Sequence, residues 1–233
     1  MVNFKNLRRI IELKGNGKIV TKEFPVSTFI RLHLSCKGTV ELHQSDEEKV
    51  SIEADENLLE HFAATNAGRT LYVSTEANVR KLAFTRCIVK VYFRQVNMLY
   101  VRNDGGNVIC PNELSLKQPL EVKVQSIGNT ELNLDVPSLK ILCQTQGNTT
   151  LKGRCDKLHI KNQSQGDFNS ASMKTSDLNI KNMSEGNVCV HVDGTICISH
   201  YGHGHIHYSG DANVLDVKHY GDGEIRHVKT KAG

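Results

Sequence analysis

Seven glycines, Gly106, Gly128, Gly147, Gly166, Gly186, Gly204 and Gly223, recur at steps of 22, 19, 19, 20, 18 and 19 residues. A unit of about 20 residues cannot enclose a core by itself, so a chain built this way must stack its units and bury their apolar sides against one another. The pattern around each glycine is also repeated. Eight positions before it stand Met98, Leu120, Leu139, Leu158, Leu178, Ile196 and Leu215. Six before it stand Tyr100, Val122, Ile141, Ile160, Ile180, Ile198 and Val217, and all fourteen are expected to face a core. Two positions after it come Val108, Thr130, Thr149, Phe168, Val188, Ile206 and Ile225. Alternation of this kind is a period-2 strand signal, so each unit reads as two strands separated by a polar turn ending in glycine. Turns such as Asn103-Asp104-Gly105-Gly106 and Tyr220-Gly221-Asp222-Gly223 suit a glycine held at positive φ.

No segment of ten or more residues in this half has helical spacing, which leaves no helices for βαβ crossovers. A β-propeller blade needs about 40 residues, twice the period seen here. The expected fold is therefore all-β: a parallel β-helix or solenoid of about seven coils, each of roughly 19–20 residues and about 4.8 Å above the last. Upstream the period disappears, but alternating runs persist: Phe29–Leu34, Thr39–His43, Lys49–Ala54, Thr70–Val73 and Ile88–Phe93. Asp55–Phe62, with acidic residues in its first turn, is the one expected helix. An open coil exposes unpaired backbone and core, so residues 15–95 are expected to cap the solenoid. The division expected is 1–14 as an N-terminal segment, 15–95 as this all-β cap section, 96–228 as repeats and 229–233 as a tail.

Several segments together resemble a known family. They are Gly15-Asn16-Gly17-Lys18-Ile19-Val20-Thr21-Lys22, Phe29-Ile30, Val50–Leu59 with its Asp55-Glu56-Asn57-Leu58-Leu59, and Gly68-Arg69-Thr70-Leu71-Tyr72-Val73. Followed by the glycine coils, they resemble the "putative auto-transporter adhesin" head domain, the GIN domain, over about residues 15–228. The acidic Asn-Leu-Leu segment and its distance to the Gly68 strand are the most specific parts. The resemblance implies a right-handed β-helix-like fold in proteins exported to the cell envelope of Bacteroides-type bacteria. It implies no activity and no catalytic residues. The family's Ser-Gly-x-Gly turns survive here only as Gly202-x-Gly204 and Gly221-x-Gly223.

The net charge is +4, from 29 basic and 25 acidic residues without a block of either sign. A nucleic-acid binder concentrates its basic residues, and the densest basic stretch, Lys5–Arg9, is short and terminal, so no nucleic-acid partner is expected. No apolar run reaches the length of a membrane span. The first residues lack the apolar region of a signal peptide, which sets them against the exported location that the resemblance implies and leaves open whether a leader is missing. The seven cysteines form no CxxC and no pair with structural-zinc spacing, and are expected mostly as small apolar fillers.

One cluster has residue types suited to chemistry. His200, His203, His205 and His207 fall within eight residues, and His219 repeats the first of them one coil later. If Ile206 faces the core, His205 and His207 share an outward face, with Cβ atoms about 6.5–7 Å apart. Two or three imidazoles with Asp222 or Glu224 nearby would suit zinc, copper or nickel. The competing expectation is stacking without a metal: His200 on His219, Tyr201 on Tyr220, and the column continuing to Asn182 and Asn162 as a polar ladder. Tyr201, Tyr208 and Tyr220 are the candidate ligand-binding residues, since such rings pack against sugars or protein partners. No phosphate loop, nucleophile elbow or aligned carboxylate pair supports an enzyme. The expected function is non-enzymatic binding of a surface glycan or protein at the cell envelope, with no cofactor and with homo-oligomerisation left open. A polysaccharide-acting β-helix enzyme and a ligand-free scaffold are the alternatives.

Overall fold

The computed structural model describes residues 11–75 and 80–229. The Lys5–Arg9 stretch and the last four residues of the expected tail lie outside them. The architecture is a parallel β-solenoid of about six turns, close to the seven coils expected.

Two columns of parallel strands run the length of the stack. The first contains Met98–Asn103, Leu120–Ser126, the latter parts of three long strands (139–145, 158–162 and 178–182), then Thr195–His200 and Asn213–His219. The second contains Val108–Ile109, the first parts of the long strands (130–136, 149–155, 168–175), then Val188–His191, Ile206–Ser209 and Ile225–His227. In-register pairing puts the same repeat position at the same depth in every coil. Leu120, Leu139, Leu158, Leu178 and Ile196 therefore form one buried ladder, with Val122, Ile141, Ile160, Ile180 and Ile198 beside it.

Residues 15–95 do more than cover the end. Arg31–Cys36 lies between Thr70–Thr75 and Met98–Asn103, parallel to both, and Thr39–Gln44 lies in the same way between Cys87–Phe93 and Val108–Ile109. The chain thus builds a coil at 31–44, passes beneath it at 70–93, and returns above it at 98. One continuous apolar core runs from Phe29 and Phe93 to Ile206. The covering itself is antiparallel: Lys49–Asp55 pairs with both Cys87–Phe93 and Ile19–Pro25, and Phe62–Ala67 pairs with Thr70–Thr75. The expected helix is a 3₁₀ helix, Glu56–His61, burying Leu58 and Leu59.

The glycine column has a different cause from the one expected. Of the seven, only Gly106 has a positive φ, 79°. Each later glycine stacks on the backbone of the one below. A Cβ on Gly128 would lie 1.9 Å from the Gly106 carbonyl oxygen, and one on Gly204 2.0 Å from that of Gly186. The turns need glycine because coils approach too closely there for any side chain. The residue after each glycine completes the turn. The Asn107 side-chain oxygen accepts from Asn129 N–H, Asn129 from Asn148, Asn148 from Asp167, Asp167 from Asn187 and Asn187 from His205, at 2.8–3.0 Å. This ladder satisfies turn donors that no sheet partner reaches.

Four of the fourteen expected core positions differ, all at the ends of the repeat. Asn103 pairs with Ser126 and Gly106 stacks on Gly128, so Asp104 and Gly105 fill a space that Ile127 fills alone one coil later. The extra residue shifts the upstream frame by one and flips every side chain. Leu99 and Val101 are buried, while Met98 and Tyr100 turn outward. In the last coil a β-bulge between Ile196 and Cys197 pairs Val214 with Ile196 and leaves Leu215 unpaired. That coil has no neighbour above among the described residues, and Leu215 and Val217 are exposed.

Candidate functional site

The five candidate metal ligands do not converge. His200 points into the solenoid and is fully buried, continuing the buried column of Asn162 and Asn182. Asn162 Nδ2 donates to Asn182 Oδ1 at 3.1 Å, and Asn182 Nδ2 faces His200 Nδ1 at 3.4 Å. Burial lowers the His200 pKa, and the nearby imidazoles of His219 and His205 push it the same way. His219 stacks on it at 5.4 Å, and its Nε2 donates to the Gly223 carbonyl at 2.7 Å. His205 belongs to the turn ladder, where its Nδ1 accepts from Glu224 N–H at 2.9 Å. Its ring stacks on His207 at 6.1 Å, on the outward side of Ile206. His203 is exposed and pairs with Asp222 at 2.7 Å. Among the described residues no group of three or more His, Cys, Asp or Glu is arranged to hold a metal ion.

The seven cysteines are free thiols, and Cys36, Cys87, Cys110, Cys143 and Cys155 are buried. Burial pushes the thiols of Cys87, Cys110 and Cys143 up to about 12, which removes the thiolate from ordinary pH.

The tyrosines separate into two places. Tyr208 lies in register with Val190 in the second column, half-buried and stacked on His227 at 4.9 Å. Tyr201 and Tyr220 stand at the end of the first column, 43 % and 70 % exposed, with rings 5.1 Å apart and 16° from parallel. Tyr201 comes one position after the inward His200, and Tyr220 one after His219, its partner in register, so alternation carries both rings onto the outer face of that column.

That face carries side chains the repeat alone did not single out. Its central line begins with Tyr72, His33 and Tyr100, where His33 meets Tyr72 edge-on at 5.3 Å and stacks on Tyr100 at 4.2 Å. The line then continues through Lys123, Leu142, Lys161 and Lys181 to Ser199 and Lys218. Beside it runs an amide ladder: Tyr100 Oη donates to Gln125, Gln125 to Gln144 and Gln144 to Gln163, at 2.8, 2.8 and 3.1 Å. Lys123 lies over the Tyr100 ring at 5.0 Å and Lys181 over the Tyr201 ring at 5.4 Å. A shallow groove of about 320 Å³ opens along this line on the side away from the amides, bordered by Glu121, Lys123, Lys140, Leu142, His159 and Lys161.

The segments that carried the family resemblance form a clasp rather than a binding site. The loop Gly15-Asn16-Gly17-Lys18 wraps around the Asp55–Asn57 corner. Asp55 accepts from the N–H groups of Gly17 and Thr85 at 2.8 Å each, Asn57 Oδ1 accepts from Asn16 N–H, and Lys18 pairs with Glu56. A Cβ on Gly15 would lie 2.2 Å from the Asp55 carboxyl carbon. Gly68, at φ 56°, turns the hairpin between Phe62–Ala67 and Thr70–Thr75.

With this clasp and the stacked coils in view, residues 28–212 match the family model described as "Putative auto-transporter adhesin, head GIN domain". The chain belongs to this family. Among solved structures, the GIN-domain chain is similar to a "putative adhesin" from Bacteroides fragilis, with TM-score 0.87 and 17 % identity over 93 % of this chain and 100 % of that one. It is also similar to a "putative lipid binding protein" from Parabacteroides distasonis (TM-score 0.69, 19 % identity, 92 % and 99 % covered). A "putative adhesin" from the same organism gives TM-score 0.66 and 21 % identity over 93 % and 100 %. At these identities the likeness is one of fold. No curated protein sequence matches the chain.

Proposed function

We propose that this GIN-domain chain is a non-enzymatic binding protein of the cell envelope, and that the outer face of its first strand column contacts a surface glycan. The observation that carries this reading is the exposed Tyr201–Tyr220 pair at one end of a face that begins with the Tyr72–His33–Tyr100 stack. Sugars are bound by flat aromatic surfaces that shed water from a pyranose face, together with fixed polar groups that meet hydroxyls. The Gln125–Gln144–Gln163 ladder supplies such groups on the same side. The face is preorganised along its central line by in-register strands, and Tyr201 and Tyr220, one residue past their strands, are tied by backbone N–H groups to the Asn182 and His200 carbonyls, so binding loses little chain entropy. The family's name supports a surface location, and no helix among the described residues is long and apolar enough to cross a membrane.

The test is a thermal-shift screen of surface polysaccharides against the chain and its Tyr201→Ala/Tyr220→Ala variant. A ligand of the folded state raises Tm. The expected result is a glycan-dependent rise that the variant reduces. Equal rises in both proteins would move the site off this face, and no rise with any glycan would remove the glycan reading.

A further inference from the structure

We propose that the glycan bound on this face is an acidic polysaccharide, with Lys123, Lys161 and Lys181 meeting its carboxylate or sulfate groups. The inference rests on the reading of the face given above and adds the charge of the ligand. In the sequence these lysines are 38 and 20 residues apart and form no basic run. The register puts them in one line, with Leu142 between the first two and Lys161 directly beside Lys181 in the neighbouring coil.

Like charges paired directly across adjacent strands destabilise a sheet. Lys161 and Lys181 are such a pair. The carboxylate beside this line, Glu121, two residues before Lys123 and on the rim of the same groove, is held by Lys140 at 3.1 Å. Among the described residues no ion pair engages Lys123, Lys161 or Lys181. Lys123 and Lys181 are instead propped over tyrosine rings, which position the ammonium groups without neutralising them. A row of cations left unneutralised on a rigid sheet is a counter-charge surface for an extended polyanion.

The geometry favours a polysaccharide among polyanions. Each coil advances the line by about 4.8 Å, so a chain laid along the axis meets a new set of side chains at each coil. A charged sugar needs a cation, a hydroxyl partner and an apolar surface close together. The cation and the hydroxyl partner are adjacent as Lys123 and Gln125 beside the edge of the Tyr100 ring at one end, and the cation and the ring recur as Lys181 and Tyr201 at the other, where Tyr220 presents its outer face.

The experiment measures binding of the whole chain to polygalacturonate, to neutral amylose of matched length and to a single-stranded oligonucleotide, from low to high salt. It compares the unmodified chain with K123Q/K161Q/K181Q and with the charge-conserving K123R/K161R/K181R. All three side chains face outward and Gln matches the adjacent ladder, so an unchanged Tm and circular dichroism spectrum certify the fold of each variant. The expected result is polygalacturonate binding that weakens with salt, falls roughly tenfold or more in the Gln variant and persists in the Arg variant. Equal binding of amylose and polygalacturonate, unaffected by the Gln variant, would overturn the acidic ligand and leave the glycan reading standing. Tighter oligonucleotide binding would overturn it in favour of nucleic acid. No binding of either polysaccharide would remove both readings.

Discussion

At the residue scale the turns test the fold most sharply. Gly147 stacks on Gly128, and a Cβ there would lie 2.6 Å from the carbonyl carbon below. Gly147→Ala must therefore push two coils apart, at a cost of about 1–3 kcal/mol or more. Asn148→Ala removes the rung in which the Asn148 side-chain oxygen accepts from the Asp167 N–H and costs roughly 1 kcal/mol. Melting curves should rank the two, at about 2–4 °C per kcal/mol for a chain of this length. A larger loss for Asn148→Ala would mean that the ladder, rather than close approach, selects the glycine. The buried His200 makes a second prediction. Its pKa is lowered by burial from the ordinary 6.5, so the unfolded chain binds the proton more readily than the folded one. Stability is then full above pH 6.5 and declines as pH falls from there toward the lowered folded value. His33 shifts in the same direction, also through burial. His200→Asn extends the Asn162–Asn182 ladder and should shallow this decline, as read by denaturation midpoints between pH 7.5 and 5. An unchanged slope would exclude His200 as a source.

At the scale of elements, the N-terminal clasp and the Gly105 insertion are separable. Burial alone would raise the Asp55 carboxyl, but the N–H groups of Gly17, Thr85 and Arg86 outweigh it and hold the pKa below the usual 3.8. Its contribution is present above that value and is lost only as pH falls through the lower folded pKa, well below the histidine window. Asp55→Ala leaves the Gly17 and Thr85 donors without their acceptor. Hydrogen exchange should then lose protection at Ile19–Pro25, with the coils beyond residue 120 unchanged. Uniform loss along the chain would show that the clasp is not a local device. Deleting Gly105 would realign residues 98–103 with the rest of the repeat and drive Met98 and Tyr100 inward, a register error that lowers Tm instead of improving the repeat. The repeat was legible from sequence, but its frame in the first coil was not. The glycine itself gives no sign of whether one residue or two separate it from the strand.

For the molecule as a whole, stability is expected to be graded along the axis. The N-terminal end is covered by antiparallel strands, whereas among the described residues Asn213–His219 and Ile225–His227 pair on one side only, leaving Val214, Leu215, Val217 and Tyr220 exposed. In a stack where each unit contacts only its neighbours, the end with the fewest contacts opens first. Amides of residues 213–228 should exchange fastest among the coils, and Tyr220 should lose its order before Tyr100. Equal protection at both ends would show that another surface covers the last coil.

The sequence by itself determined the class of fold and its period, because spacing of about 19 residues with two-fold alternation has few other ways to bury its apolar positions. It also placed the Asn162–Asn182–His200 column and the His200–His219 and Tyr201–Tyr220 stacks, though not the Tyr208–His227 stack, since in-register stacking turns an equal offset from glycine into contact. It missed the turn ladder, although Asn or Asp after five of the seven glycines was there to be counted. Only the tertiary structure decided where the coil at 31–44 sits, because nothing local fixes a strand that pairs with residues on either side of it some 40 and 65 positions away. Only it turned His200 inward while its neighbours face solvent, and only it gathered the lysines of separate coils into one line. Charge is a property of a surface, and a parallel stack composes that surface across the chain rather than along it.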